Sequence, residues 1–205
     1  MQEILISFCI SYLIGSIPTA YLVVKRTSNV DIRTVGSGNV GGRNALDVTG
    51  KKSVGIAVVV IDVLKGLVSV ALANYFFEEK SLAISAAMVG SVIGHCYPVW
   101  LKFKGGRGLA TAAGVFFATS WVWVALWLGL YFVSSKVLKN IHISSVVALG
   151  VTPIIAWLVS GLWNSYPLMG NLSQEVFFSA GVLVITVCIT KHLQPLKEIY
   201  AQKHI

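Results

Sequence analysis

Apolar positions along this chain run together in six long stretches, at residues 4–24, 54–77, 82–101, 108–135, 144–162 and 174–190, each almost free of charge. A membrane-crossing helix needs about 20 such residues to cover about 30 Å of hydrocarbon, whereas a transmembrane barrel shows short alternating segments. The pattern predicts an all-α, polytopic membrane bundle forming one domain over residues 1–205. Met1-Gln2-Glu3 offers no positive n-region and no small-residue cleavage site follows, so 4–24 reads as a retained helix. Composition agrees: 56% of residues are hydrophobic and 12% charged, against about 25% charged in soluble domains.

The polar intervals carry the charge, and they carry it unevenly. Six Lys and Arg lie between 25 and 52, three between 102 and 107, two at 136 and 139, and three at 191, 197 and 203. Basic loops stay cytoplasmic, so all four clusters belong on one face, with the N-terminus outside. The net charge of +8 then describes a cytoplasmic surface suited to anionic lipid heads and anionic substrates; no nucleic-acid motif accompanies it. Parity now raises a problem between Arg107 and Lys136. A single apolar run joins them, yet both ends should be cytoplasmic. A hairpin of two short helices turning near Thr119-Ser120 solves it, provided protein covers the polar backbone at the turn. About seven membrane helices follow, the fourth and fifth short.

On this topology the polar motifs converge on one face. Gly36-Ser37-Gly38-Asn39 leads into Gly41-Gly42-Arg43-Asn44, and glycines admit positive φ and close backbone approach. Successive N–H groups in such turns make anion nests, while Ser37, Asn39 and Arg43 add side-chain donors. Lys104-Gly105-Gly106-Arg107-Gly108 precedes the next apolar stretch, where a helix N-terminus favours anions. It lacks the spacing of a Walker A loop. Asp62 and Lys65 lie inside an apolar stretch at i, i+3 and can pair on one helix face; a functional site and a structural ion pair are both open. His95, His142 and His192 end or begin apolar stretches on the same face, each a candidate base near neutral pH. Cys9, Cys96 and Cys188 have no metal-ligand spacing and read as packing residues; no metal or cofactor is expected. Two glycine-rich cationic loops look like a clamp for a phosphate-bearing ligand. A transporter reading would call for inverted repeats, and none is visible.

At these residues the chain resembles the bacterial acyl-phosphate:glycerol-3-phosphate acyltransferases, the PlsY family. The matching stretches are Gly15-Ser16-Ile17-Pro18, GSGNVG at 36–41 with Asn44, GKK at 50–52 and DVLKG at 62–66. Gly94-His95, Tyr97-Pro98, KGGRGLAT at 104–111 and His192 complete the set. The resemblance implies seven membrane helices and a cytosolic-face site in a bacterial plasma membrane. It implies acyl transfer from acyl phosphate to the 1-hydroxyl of glycerol 3-phosphate, giving lysophosphatidic acid for phospholipid synthesis, without a cofactor. Membrane lipids are the expected surroundings, and oligomeric state is left open.

The implied roles are catalytic for His192, Lys104 and Ser145. Phosphate binding falls to Ser37, Gly38, Asn39, Arg43, Asn44, His95, Gly105, Gly106 and Arg107, with Asp62 and Lys65 supporting. An acyl phosphate is already activated, so the protein mainly positions two phosphates and stabilises an oxyanion. The acceptor proton goes either to His192 or to a substrate phosphate oxygen. Four positions depart from the pattern. Arg43 stands where threonine is usual and Asp47 where arginine is usual. His142 replaces a serine three residues before Ser145, and Pro195 replaces the asparagine of H-x-x-N. Arg43 is the candidate to supply the missing arginine; alternatively the departures mark a paralogue with another acceptor or donor, or a non-catalytic lipid-binding protein.

Overall fold

The computed structural model describes residues 1–159 and 173–203. Its helices are α1 (Gln2–Ser16), α2 (Thr19–Ser28), α3 (Gly42–Thr49), α4 (Lys52–Phe76) and α5 (Lys80–Cys96). A short 3-10 turn at Val99–Leu101 follows, then α6 (Leu109–Thr119), α7 (Trp121–Leu138), α8 (Ile141–Leu158), α9 (Gln174–Thr190) and α10 (Leu193–Lys203). No strand occurs among the described residues. Among the described residues, six stretches are long and apolar enough to cross a membrane: Gln2–Ser28, Lys52–Phe76, Lys80–Leu101, Trp121–Leu138, Ile141–Leu158 and Gln174–Ala201. Residues 160–162, the expected end of the fifth apolar stretch, lie outside the described residues.

The apolar run from 108 to 135 is broken where its polar turn predicts. α6 stops at Thr119, Ser120 is extended, and α7 begins at Trp121. Thr119 bonds back to Val115 O at 2.8 Å, and the Ser120 N–H donates to Phe116 O at 2.6 Å. Both residues are buried, and the Trp123 ring stacks on Phe116 at 4.9 Å, so protein covers the corner. The two helices are unequal. α6 has eleven residues, while the eighteen of α7 span about 27 Å, the lower limit for a crossing.

The first apolar stretch is also two helices. Pro18 has no N–H to offer and disfavours helix at the residue before it, so α1 ends at Ser16 and leaves carbonyls without helical partners. Lys65, on α4, reaches across to them: its Nζ donates to Gly15 O at 3.2 Å and Ile17 O at 2.8 Å. Nζ also lies 2.7 Å from Asp62 Oδ1, and both side chains are buried. α1 packs on α5 at close range, since a methyl group on Gly15, Gly90 or Gly94 would strike the facing backbone; small residues let membrane helices approach this way.

Two cores result. The main one, with Met88, Val92, Phe116, Trp123 and Val184, joins α4 to α9. The second, with Ala20, Val24, Ile32, Val40, Ala45, Val54, Val58 and Leu101, sits under α2, α3 and their connecting loop. That smaller core makes the 29–41 loop a packed element at one end of the bundle.

Candidate functional site

The 29–41 loop is built around Asn44, which is fully buried. Its Nδ2 donates to Ile32 O, Val35 O and Asn39 O at 3.0–3.1 Å, and its Oδ1 accepts the Ser37 N–H at 2.9 Å. Gly36 and Gly38 sit at φ 58° and 66°, which admits the chain's return toward Asn44 without a Cβ clash. Asp31 anchors the entrance: its carboxylate accepts from Arg33 Nη2 at 2.6 Å, and that guanidinium holds its pKa down to about 2. Arg33 in turn lies over the Tyr21 ring.

The second glycine loop is fastened to the end of α5. Gly105 N–H donates to Cys96 O and Gly106 N–H to His95 O, both at 3.2 Å. A Cβ on Gly105 would meet His95 O, Pro98 and Cys96 O, while one on Gly106 would meet the His95 ring and Val40 O. The first loop, the second loop and His95 therefore touch at one point. Gly108 is equally tightly seated, against Cys96 Sγ and Cys188 Sγ, the two buried cysteines that read as packing residues.

This geometry corrects the expected nest of free N–H groups. The N–H groups of Ser37, Gly38, Gly105 and Gly106 all donate to protein acceptors, and Asn44 is spent holding its loop. The glycines serve close packing; the groups left open around them are side chains and the first turn of α6, whose N–H groups have no intrahelical partner. Ser37 and Lys104 are exposed, Asn39 and Arg107 half-buried. Burial pushes the Arg107 guanidinium pKa below its ordinary value, with Glu198 opposing; it stays charged. Arg43 is 74% exposed, with its Nε 3.0 Å from Asp47 Oδ2, so the arginine expected to compensate is itself engaged by the departing aspartate.

The last two motifs join from the opposite side. His192 is 1% exposed, and its Nδ1 lies 2.8 Å from Cys188 O. A carbonyl only accepts, so Nδ1 carries the proton and Nε2 the lone pair. The His142 ring stands 5.9 Å from the His192 ring, tilted by 60°. Arg107 is within electrostatic reach of both, which ties the glycine loop of α6 to the starts and ends of α8 and α9. It also brings the start of α6 and the start of α8, which follows α7 directly, to one site. Ser145 is buried, its hydroxyl donating to Ile141 O at 2.7 Å within its own helix. Asp62 and Lys65 pair at the α1–α2 break, with His95 Nδ1 3.6 Å from Asp62.

Lys191, in sequence one more basic charge among three, is a further candidate by its position. It is half-buried beside Arg107, and its Nζ lies 4.6 Å over the Tyr97 ring, whose hydroxyl meets Thr190 Oγ1 at 3.1 Å. Its place directly before His192 was the available signal.

A family profile described as glycerol-3-phosphate acyltransferase matches residues 5–202. A glycerol-3-phosphate acyltransferase of Prochlorococcus marinus is 34% identical over 191 residues, covering 93% of this chain and 90% of that protein. One from Bradyrhizobium diazoefficiens is 37% identical over 196 residues, with coverage of 94% and 90%. The crystal structure of PlsY, an integral membrane glycerol 3-phosphate acyltransferase, in its glycerol 3-phosphate form superposes with a TM-score of 0.79 at 28% identity, covering 97% of this chain and 92% of that one. Its lysophosphatidic acid form gives 0.76 at 26% identity.

Proposed function

The chain belongs to the glycerol-3-phosphate acyltransferase family, and from that premise we propose that it moves a fatty acyl group from acyl phosphate to the 1-hydroxyl of glycerol 3-phosphate. The products are lysophosphatidic acid and inorganic phosphate. The observation that carries this reading is the convergence of both glycine loops, Arg107 and His192 at one end of the membrane bundle.

Two phosphates must be held close together, one leaving and one remaining on the acceptor. Lys104, Arg107 and Lys191 supply the cations, and Ser37, Asn39 and the first turn of α6 supply neutral donors. The acceptor oxygen attacks the acyl carbon and the bond from that carbon to the phosphate oxygen breaks. Held donors stabilise the intervening oxyanion, and alignment of the two substrates lowers the entropic part of the barrier. His192 Nε2, the unprotonated ring nitrogen, takes the hydroxyl proton. Asn44, Asp62, Lys65 and His95 position the loops from beneath. The basic face lies in the cytoplasm and the N-terminus outside, in a bacterial plasma membrane; anionic substrates arrive from the cytoplasmic side and the acyl chain from the bilayer.

The test is incorporation of radiolabelled glycerol 3-phosphate into lipid by membranes carrying the full chain, with palmitoyl phosphate as donor. Label in lysophosphatidic acid is expected from the parent chain, with a loss of at least about a hundredfold in Lys104→Ala. A folded parent chain that leaves the label in water overturns the reading.

A further inference from the structure

Tyr97 stands at the end of α5, and each of its polar groups is bound. Pro98 follows it and disfavours the helical region, so Tyr97 leaves the helix at φ −134° and ψ 58°. Its N–H still donates to Ile93 O at 2.7 Å, and its carbonyl accepts the Tyr12 O–H at 2.9 Å. Thr190 gives its own hydroxyl hydrogen to Val187 O at 2.7 Å. Across the 3.1 Å contact between the two hydroxyls the Tyr97 O–H is therefore the donor. The ring is fixed from α1, α5 and α9 together, and the Lys191 ammonium lies 4.6 Å over its centre.

Lys191 needs such a hold. Lysine carries its charge on a flexible four-carbon stem, and this one is half-buried with Arg107, a like charge, as its charged neighbour. Among the described residues no carboxylate pairs with it. Without a counterweight the ammonium would turn from the guanidinium toward water. The face of an aromatic ring attracts a cation without neutralising it, so Lys191 stays beside Arg107 with its charge intact. Two adjacent cations, one of them unpaired, suit a phosphate that bonds to both. We propose that Tyr97 is a positioning residue of the site, holding Lys191 in place beside Arg107 for a substrate phosphate. The inference rests on the acyltransferase reading and deepens it. Its ligand chemistry is a phosphoryl group, which donor and acceptor both carry.

The experiment is saturation kinetics of the full-length protein in membranes, varying palmitoyl phosphate and glycerol 3-phosphate in turn. In Lys191→Ala the KM of one substrate is expected to rise about tenfold, and the substrate affected identifies the phosphate that Lys191 takes. Tyr97→Leu is expected to raise the same KM by about three- to tenfold and leave the other within about twofold. Tyr97→Phe keeps the ring and stays within about twofold of wild type for both substrates. The double variant of Tyr97→Leu with Lys191→Ala is no weaker than Lys191→Ala alone, because the ring acts only through the lysine. Should Tyr97→Leu fail to fold, Tyr97→Met carries the test, with the same loss expected. Losses that multiply in the double variant, or unchanged KM values in folded Lys191→Ala or Tyr97→Leu, overturn this inference alone. A parent chain that makes no lysophosphatidic acid overturns it together with the acyltransferase reading.

Discussion

Arg43 and Arg107 show how far residue type alone is from residue role. Both are arginines in glycine-rich motifs, yet one is exposed and neutralised by Asp47 while the other is half-buried among the histidines. An exposed i,i+4 pair contributes about 0.3–0.5 kcal/mol, so Arg43→Ala should change stability by no more than that. The KM for glycerol 3-phosphate should stay within about threefold in Arg43→Ala and rise more than about tenfold in Arg107→Ala. Saturation kinetics of the two variants check this; a larger KM effect at Arg43 would restore it to the phosphate site. The motif GSGN with Asn44 was legible as a unit, but the amide that reads as a ligand donor is spent on three carbonyls of its own loop.

At the scale of elements, the Asp62–Lys65 pair replaces what Pro18 removes. The break between α1 and α2 exposes carbonyls inside the bundle, and Lys65 satisfies two of them while Asp62 balances its charge. Taking away one partner leaves a buried charge and costs about 3–5 kcal/mol. Lys65→Met should therefore lower the thermal midpoint in detergent sharply, and Lys65→Met with Asp62→Asn should recover part of the loss. A double variant no more stable than the single would mean that the carbonyl contacts, and not the charge balance, carry the stabilisation. The proline was visible in the sequence, whereas its partner stands 47 residues away on α4, a distance that periodicity does not bridge.

For the whole molecule, the α6–α7 hairpin decides the topology. If both of its ends lie on one face, single cysteines at Lys104 and Lys139, introduced with Cys9 replaced by serine, label from the same side of sealed vesicles by an impermeant maleimide. Labelling from opposite sides would mean a straight crossing between them. Convergence of segments far apart in the chain also makes the site a property of the assembled bundle, since α5, α6, α8 and α9 each contribute one end.

Hydropathy, charge clusters and turn residues are local quantities, so the sequence by itself determined the membrane class, the approximate number of helices and the corner at Thr119-Ser120. The ordered motifs also determined the family. Which N–H groups remain free, which arginine is spent and which histidines face one another were decided only by tertiary structure. Those outcomes depend on distances between residues far apart in the chain, such as His142 and His192, and a hydrogen bond or ion pair exists only once packing brings its partners within about 3 Å.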